Sequence, residues 1–182
     1  CFSPCFYCGC NRIITRDLGR SDSYLARLYR EVALIAPAFD RDREVIQLHF
    51  GGGTPNFLNP TQLADTVDVL RRQFHFADRR DSDISIEIDP RFCDPAWMPA
   101  LAASGFNRAS LGVQDFDPKV QAAVNRLQTV EETRAVVDAA RSAGFRSVNI
   151  DLIYGLPGQN LEGFGKTLDI VTEIRPDRLA VY

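Results

Sequence analysis

No run of basic residues in this 182-residue sequence is longer than the Arg79-Arg80 pair, and the formal net charge is -3. That leaves no electrostatic footprint for nucleic acid or an anionic membrane, so small-molecule chemistry is expected, with neither nucleic acid nor membrane as partner. No apolar stretch approaches the roughly 18 to 20 residues that span a bilayer, and no signal-like segment opens the chain; a cytoplasmic location is expected. Internal linkers and low-complexity segments are lacking too. With 45% hydrophobic and 25% charged residues, the chain is expected to form one globular domain with enough apolar matter for a core. It begins on a cysteine and ends in the apolar run Leu179 to Tyr182, and is expected to be an excerpt of a longer protein.

What is present is an alternation of helix and strand signals. From Tyr24 to Phe39, residues Leu25, Leu28, Tyr29, Val32 and Ile35 keep helical spacing. Val45 to Phe50 is strand-like. Asn59-Pro60 opens a helix carrying Leu63, Val67, Leu70 and Phe74, since Asn caps exposed N–H groups and Pro suits the first helical position. Strand Ile84 to Asp89 follows. Asp94-Pro95 starts a helix ending near Gly105, and Ala109 to Gln114 is the next strand. A short helix opens at Asp117-Pro118. Thr129 with Glu132 predicts a capping box for the helix ending near Gly144. Strand Val148 to Tyr154, helix Leu161 to Ile174 and strand Leu179 to Tyr182 complete the series. Strands joined by helices are parallel neighbours with right-handed crossovers, which gives an α/β barrel or a doubly wound sheet.

Parallel strands are normally apolar on both faces, yet four of these alternate. Gln47, His49 and Gly51 oppose Ile46, Leu48 and Phe50; Ser85, Glu87 and Asp89 oppose Ile84, Ile86 and Ile88. Ser110, Gly112 and Gln114 oppose Ala109, Leu111 and Val113, while Ser147, Asn149 and Asp151 oppose Val148, Ile150 and Leu152. If helices cover the apolar face, the polar face lines an interior. Burying its groups without partners costs about 1 to 3 kcal/mol each, so a polar ligand or water is expected there. An antiparallel sheet with one wet face is the alternative.

The five cysteines are odd in number, and four lie between Cys1 and Cys10, which fits a metal site better than a disulfide framework. Cys1, Cys5 and Cys8 form C-x3-C-x2-C in the segment CFSPCFYC. A short loop with Pro4 is able to turn three thiolates towards one iron-sulfur cubane and leave one iron open. A closed zinc site with Cys10 or His49 as fourth ligand is the alternative, although no second C-x2-C knuckle exists. Cys93, isolated after a strand end, is expected to be a packing cysteine. Gly51-Gly52-Gly53-Thr54 lets backbone approach a ligand or makes a tight turn; no Lys-Ser/Thr follows to make it a phosphate loop.

The cysteine spacing, with Tyr7 just before the third cysteine, is similar to the radical S-adenosylmethionine superfamily. Within it, CFYCGCN (Cys5 to Asn11), HFGGGTP (His49 to Pro55), SIEIDPR (Ser85 to Arg91), LGVQDF (Leu111 to Phe116), VNRLQ (Val124 to Gln128) and NIDLIYGLPGQ (Asn149 to Gln159) resemble the oxygen-independent coproporphyrinogen III dehydrogenase family. The resemblance covers nearly the whole chain. It implies an α/β fold, a partial (β/α)6-type radical SAM barrel with parallel strands, in which residues 1–182 are the core domain without its upstream first strand and C-terminal domain.

The resemblance also implies site roles. Cys1, Cys5 and Cys8 would ligate a 4Fe-4S cluster whose open iron takes the amino and carboxylate groups of S-adenosylmethionine. The Gly51 to Thr54 strip would lie against the methionine moiety, and Glu87 would receive the ribose hydroxyls. Gln114, Arg126 and Asp151, with Tyr7 and the Gly53-Thr54 backbone, would contact a second S-adenosylmethionine, Gly52 belonging to the same strip. From the residues alone, Glu87 is equally a partner for an internal arginine and Arg126 a surface salt-bridge residue. No catalytic side chain is assigned. The implied reaction is radical decarboxylation of two propionates of a porphyrinogen, with an electron donor and an electron acceptor, in haem biosynthesis. The related haem chaperone shares the three-cysteine loop, but Gly9-Cys10-Asn11 and Val124 to Gln128 favour the enzyme over the chaperone or a porphyrin-modifying methyltransferase. A non-catalytic zinc-binding module is the more distant alternative.

Overall fold

The computed structural model describes residues 1–78 and 80–182; Arg79 of the Arg79-Arg80 pair lies outside the described residues. Helices α1 (Arg20–Ile35), α2 (Pro60–Gln73), α3 (Met98–Ala103), α4 (Pro118–Ala123), α5 (Val130–Ser142) and α6 (Leu161–Ile174) alternate with strands β1 (Gln47–Phe50), β2 (Asp83–Ile88), β3 (Arg108–Gln114), β4 (Ser147–Leu152) and β5 (Arg178–Val181). All five strands are parallel and stand in the order β1-β2-β3-β4-β5, which rules out the antiparallel alternative. Because the order never reverses, right-handed crossovers put the helices on one face, the winding of a barrel rather than of a doubly wound sheet.

The alternation read from the sequence decides which face is which. Ile84, Ile86, Ile88, Leu111, Val113, Val148, Ile150 and Leu152 form one continuous core with Leu63 and Val67 of α2, Val136 and Val137 of α5 and Val171 of α6. The intervening residues of β2, β3 and β4, from Ser85 and Glu87 to Asp151, are half-buried on the other face, except Ser147, which is buried. Two helices start as expected from reciprocal caps. Asn59 and Gln62 exchange bonds of 2.9 and 3.1 Å; Thr129 and Glu132 exchange bonds of 3.0 and 2.8 Å. Each such cap is worth about 1 kcal/mol.

Boundaries differ where proline intervenes. The first helix ends at Ile35 instead of Phe39, because Pro37 lacks an N–H and the chain turns through a 3-10 segment, Ala36–Ala38. The helix expected from Asp94 to Gly105 is split: Asp94 caps a 3-10 turn at Pro95–Trp97, and α3 begins only at Met98. In one continuous helix, Pro99 would meet the Pro95 carbonyl with no hydrogen to donate. Val45 stands outside β1 and pairs with Phe76 in an isolated parallel bridge.

Candidate functional site

The cysteine loop is moored to three connections that follow strands. After β1, Thr54 Oγ1 donates to Cys1 Sγ at 3.2 Å, and Phe57 stacks on Phe2 at 4.9 Å between ring centroids. After β2, Phe92 stacks on the same ring at 4.4 Å. After α4, Phe6 N donates to Val124 O at 3.0 Å, and Asn125 Nδ2 donates to Pro4 O at 2.7 Å. Asn125 sits in the left-handed region, φ 55°, a conformation Asn tolerates better than most residues. That turn aims its side chain at the loop and lets Arg126 point back into the fold. Tyr7 packs on Val120, Val124 and Leu156; burial raises the pKa of its phenol against the opposing charge of Arg126.

Among the described residues, no three His, Cys, Asp or Glu side chains converge on a point fit for one metal ion. A single zinc asks for that convergence, whereas a cubane takes each thiolate on a separate iron. Cys10 is exposed beside Cys8, and Cys93 is buried as expected, its thiol pushed up to about 12 by burial. His49, the alternative fourth zinc ligand, is otherwise engaged: Nδ1 meets Ser85 Oγ at 2.8 Å and Nε2 meets Glu87 Oε1 at 3.2 Å.

Glu87 therefore pairs with a histidine, not with an internal arginine. Its second oxygen accepts from Gly52 N at 3.1 Å, tying β2 to the glycine turn. A Cβ on Gly51 would come within 2.5 Å of His49 Nε2 and 2.9 Å of Glu87 Oε1, so the clamp requires glycine there. Gly52 and Gly53 have φ of 72° and 63°, and a Cβ on Gly52 would meet nothing within 4 Å, which places open space against the strip. The Glu87 side chain is 44% exposed and faces that space.

Arg126 is buried, contrary to the surface alternative. Nη1 contacts Asp89 Oδ2 at 3.2 Å and Cys5 Sγ at 3.4 Å, and Nη2 donates to Gly112 O. The sequence put Asp89 on the polar face of β2. Instead Pro90 ends the strand, and Asp89 caps the turn Pro90–Phe92 while binding Arg91 Nη2 at 2.6 Å and Nε at 2.9 Å. Burial pushes the Asp89 carboxyl up, but the hydrogen bonds and charges of Arg91 and Arg126 outweigh it and hold its pKa below the ordinary carboxylate value. The role of Arg91 was not read from the sequence. Its only signal was its place in the SIEIDPR segment.

Gln114 and Arg126 come together over Gly112, where a Cβ would lie 3.0 and 2.9 Å from their nitrogens. Gln114 is left-handed, φ 71°, at an irregularity in the β3–β4 register. Asp151 accepts from Ser110 Oγ at 2.9 Å and Asn149 Nδ2 at 2.7 Å; burial raises its carboxyl pKa and these two bonds offset part of that rise. Behind this face, buried Asp115 accepts from Thr167 Oγ1 at 2.6 Å and Gln159 Nε2 at 2.5 Å, joining the connections after β3 and β4 to α6. This latch was also missed. Cavities of about 480 Å³ beside Pro95, Ala102 and Ala143 and about 340 Å³ beside Asp117, Asn160 and Lys166 lie in the helix layer. Neither is lined by Glu87, Gln114, Arg126, Asp151 or the cysteine loop; those residues gather on the polar face at the strand ends, where parallel α/β folds bind ligands.

Comparison with known proteins agrees with this geometry. Residues 1–171 match the Radical SAM superfamily. The chain is 53% identical over 182 residues to the oxygen-independent coproporphyrinogen III oxidase of Pseudomonas aeruginosa, and 48% identical to that of Escherichia coli K12, covering 100% of this chain and 40% and 39% of those proteins. It thus spans about two fifths of the length of these curated relatives. The solved structure of coproporphyrinogen III oxidase (HemN) from Escherichia coli, described as a radical SAM enzyme, superimposes with a TM-score of 0.94 at 49% identity, over 100% of this chain and 41% of that one. A radical S-adenosylmethionine methyltransferase from Kitasatospora setae, 16% identical with a TM-score of 0.65, shares the fold alone. With its parallel partial barrel and its three-cysteine loop at the strand ends, this chain belongs to the radical SAM superfamily.

Proposed function

We propose that this chain is the cofactor-binding core of an oxygen-independent coproporphyrinogen III dehydrogenase, which converts two propionates of coproporphyrinogen III to vinyl groups, giving protoporphyrinogen IX in haem biosynthesis. The observation that carries this reading is the near-coincidence of backbone with the coproporphyrinogen III oxidase of Escherichia coli at 49% identity. Membership of the superfamily implies a 4Fe-4S cluster and S-adenosylmethionine. The residues present fit both groups. Three thiols lie in one loop, the sulfur of Cys5 faces two guanidinium groups, and a side-chain-free turn borders open space beside a carboxylate.

In this reading Cys1, Cys5 and Cys8 hold the cluster. When bound, cluster and S-adenosylmethionine together supply a 5′-deoxyadenosyl radical able to take a hydrogen atom from a substrate carbon. The chain's own residues bind and orient. Gly51 to Thr54 offers backbone to the methionine moiety, and Glu87, held by His49 and Gly52, presents its carboxyl oxygens as acceptors to ribose hydroxyls. Gln114, Arg126, Asp151 and Tyr7 line the neighbouring part of the face, where a second S-adenosylmethionine would bind. The one-electron donor, the electron acceptor and the cytoplasmic setting belong to the same proposal.

The test is an anaerobic assay of the full-length protein with a low-potential reductant, S-adenosylmethionine and coproporphyrinogen III. Carbon dioxide, a vinyl-bearing porphyrinogen and 5′-deoxyadenosine are expected together. Haem binding with no decarboxylation would overturn the proposal in favour of a chaperone.

A further inference from the structure

Cys5 is the buried cysteine of the loop, and its sulfur faces two guanidinium groups from other parts of the chain. Arg126 Nη1 lies 3.4 Å away and Arg91 Nη2 lies 3.6 Å away. Arg91 arrives from the turn after β2 and Arg126 from the segment after α4, and Asp89 fixes both through contacts of 2.6 and 3.2 Å. Arg91 is also stacked on Phe92, its guanidinium carbon 5.1 Å from the ring centroid, and Phe92 in turn packs on Phe2 of the loop. The three side chains are only 7 to 10% exposed. Two cations and one anion leave a net charge of +1 in a poorly solvated place. Burying an unbalanced charge is costly unless an opposite charge faces it. The group in direct contact with both guanidiniums is the Cys5 sulfur, while Asp151 feels the charge of Arg126 from farther along the face.

We propose that the Arg91, Asp89 and Arg126 triad tunes the reduction potential of the cluster carried on Cys5, by stabilising its reduced form. The inference rests on the reading of Cys5 as a cluster ligand. Reduction adds one electron, taken from a low-potential one-electron donor, and moves no proton at the triad. The added negative charge lies beside a fixed net positive charge whose N–H groups already point at the ligating sulfur. Charge and hydrogen bonds at cluster sulfurs are among the quantities that set iron-sulfur potentials. A guanidinium suits this task because it stays charged when buried and engages Asp89 and the sulfur at once. Asp89 is a positioning residue in this scheme: it aims both cations and leaves one charge in excess.

The test uses the full-length protein reconstituted anaerobically, with iron and sulfide quantified and the cluster midpoint followed by electron paramagnetic resonance during a redox titration. R91Q removes the charge, and its midpoint is expected to move to more negative potential at unchanged iron and sulfide. R91K keeps the charge and is expected to return the midpoint towards that of the unsubstituted protein. A wild-type midpoint in R91Q with a full cluster would overturn the proposal. Should R91Q fail to hold a cluster, R91K carries the test: cluster retained in R91K alone supports the charge argument, and equal loss in both overturns it. An unsubstituted protein that assembles no 4Fe-4S cluster would instead defeat the ligand reading on which the proposal rests.

Discussion

Ile86 and Glu87 are neighbours in β2, yet they belong to different regions of the molecule. Ile86 points into the helix layer and is fully buried, whereas Glu87 points to the opposite face with a side chain 44% exposed. The same contrast holds for Leu111 and Gly112 in β3 and for Ile150 and Asp151 in β4. One face is apolar and continuous and specifies the fold; the other is polar and half-buried. His49 with Glu87, and Asn149 with Ser110 and Asp151, are local pairings within that face. A protein that only had to fold would gain nothing from the second face.

The contrast breaks most completely at the cysteines. Cys5→Ala is expected to abolish cluster assembly, whereas Cys93→Ala, behind the sheet end with a thiol kept protonated by burial, is expected to keep it. Iron and sulfide per chain after anaerobic reconstitution check this, and equal content in the two variants would remove the ligand assignment. Next in size is the apolar face. Ile86→Ala is expected to cost about 2 to 5 kcal/mol of stability, read from the denaturant midpoint, because a fully enclosed side chain leaves a cavity. A smaller effect, of another kind, is expected one residue away. Glu87→Ala should weaken S-adenosylmethionine binding by about 1.5 to 3 kcal/mol, roughly ten- to a hundredfold, with cluster content intact and less loss of stability than Ile86→Ala. Calorimetry showing unchanged affinity would return Glu87 to a structural role as the partner of His49.

The apolar face was legible in the sequence because its signal is local: alternation along a strand and spacing along a helix need only near neighbours. The caps at Asn59 and Thr129 were legible for the same reason, as were the Gly51 to Thr54 strip and the cysteine spacing. The triad was not. Asp89 stands 37 positions from Arg126, and Arg126 stands 121 positions from Cys5, so no periodicity relates them. Asp89 looked like one more polar residue of an alternating strand, and Arg126 like a surface salt-bridge residue or a contact of a second S-adenosylmethionine. What brings Arg126 inward is the left-handed Asn125 before it, a conformation that composition does not announce. The split of the helix expected between Asp94 and Gly105 had a visible cause in Pro99, which the cap at Asp94-Pro95 overshadowed. Asp115 stayed hidden because its partners, Gln159 and Thr167, come from a later strand connection and helix.

In the proposed reading, the polar face beside the cysteine loop binds S-adenosylmethionine against the open iron of a cluster held by Cys1, Cys5 and Cys8. Its most direct test is the electron paramagnetic resonance spectrum of the reduced full-length protein with and without S-adenosylmethionine labelled at its amino nitrogen and carboxylate oxygen. The cluster signal is expected to change on addition, and nuclear couplings from the labelled atoms are expected in double-resonance spectra. An intact reduced cluster whose spectrum is unaltered by saturating S-adenosylmethionine, with no coupling to the label, would contradict it.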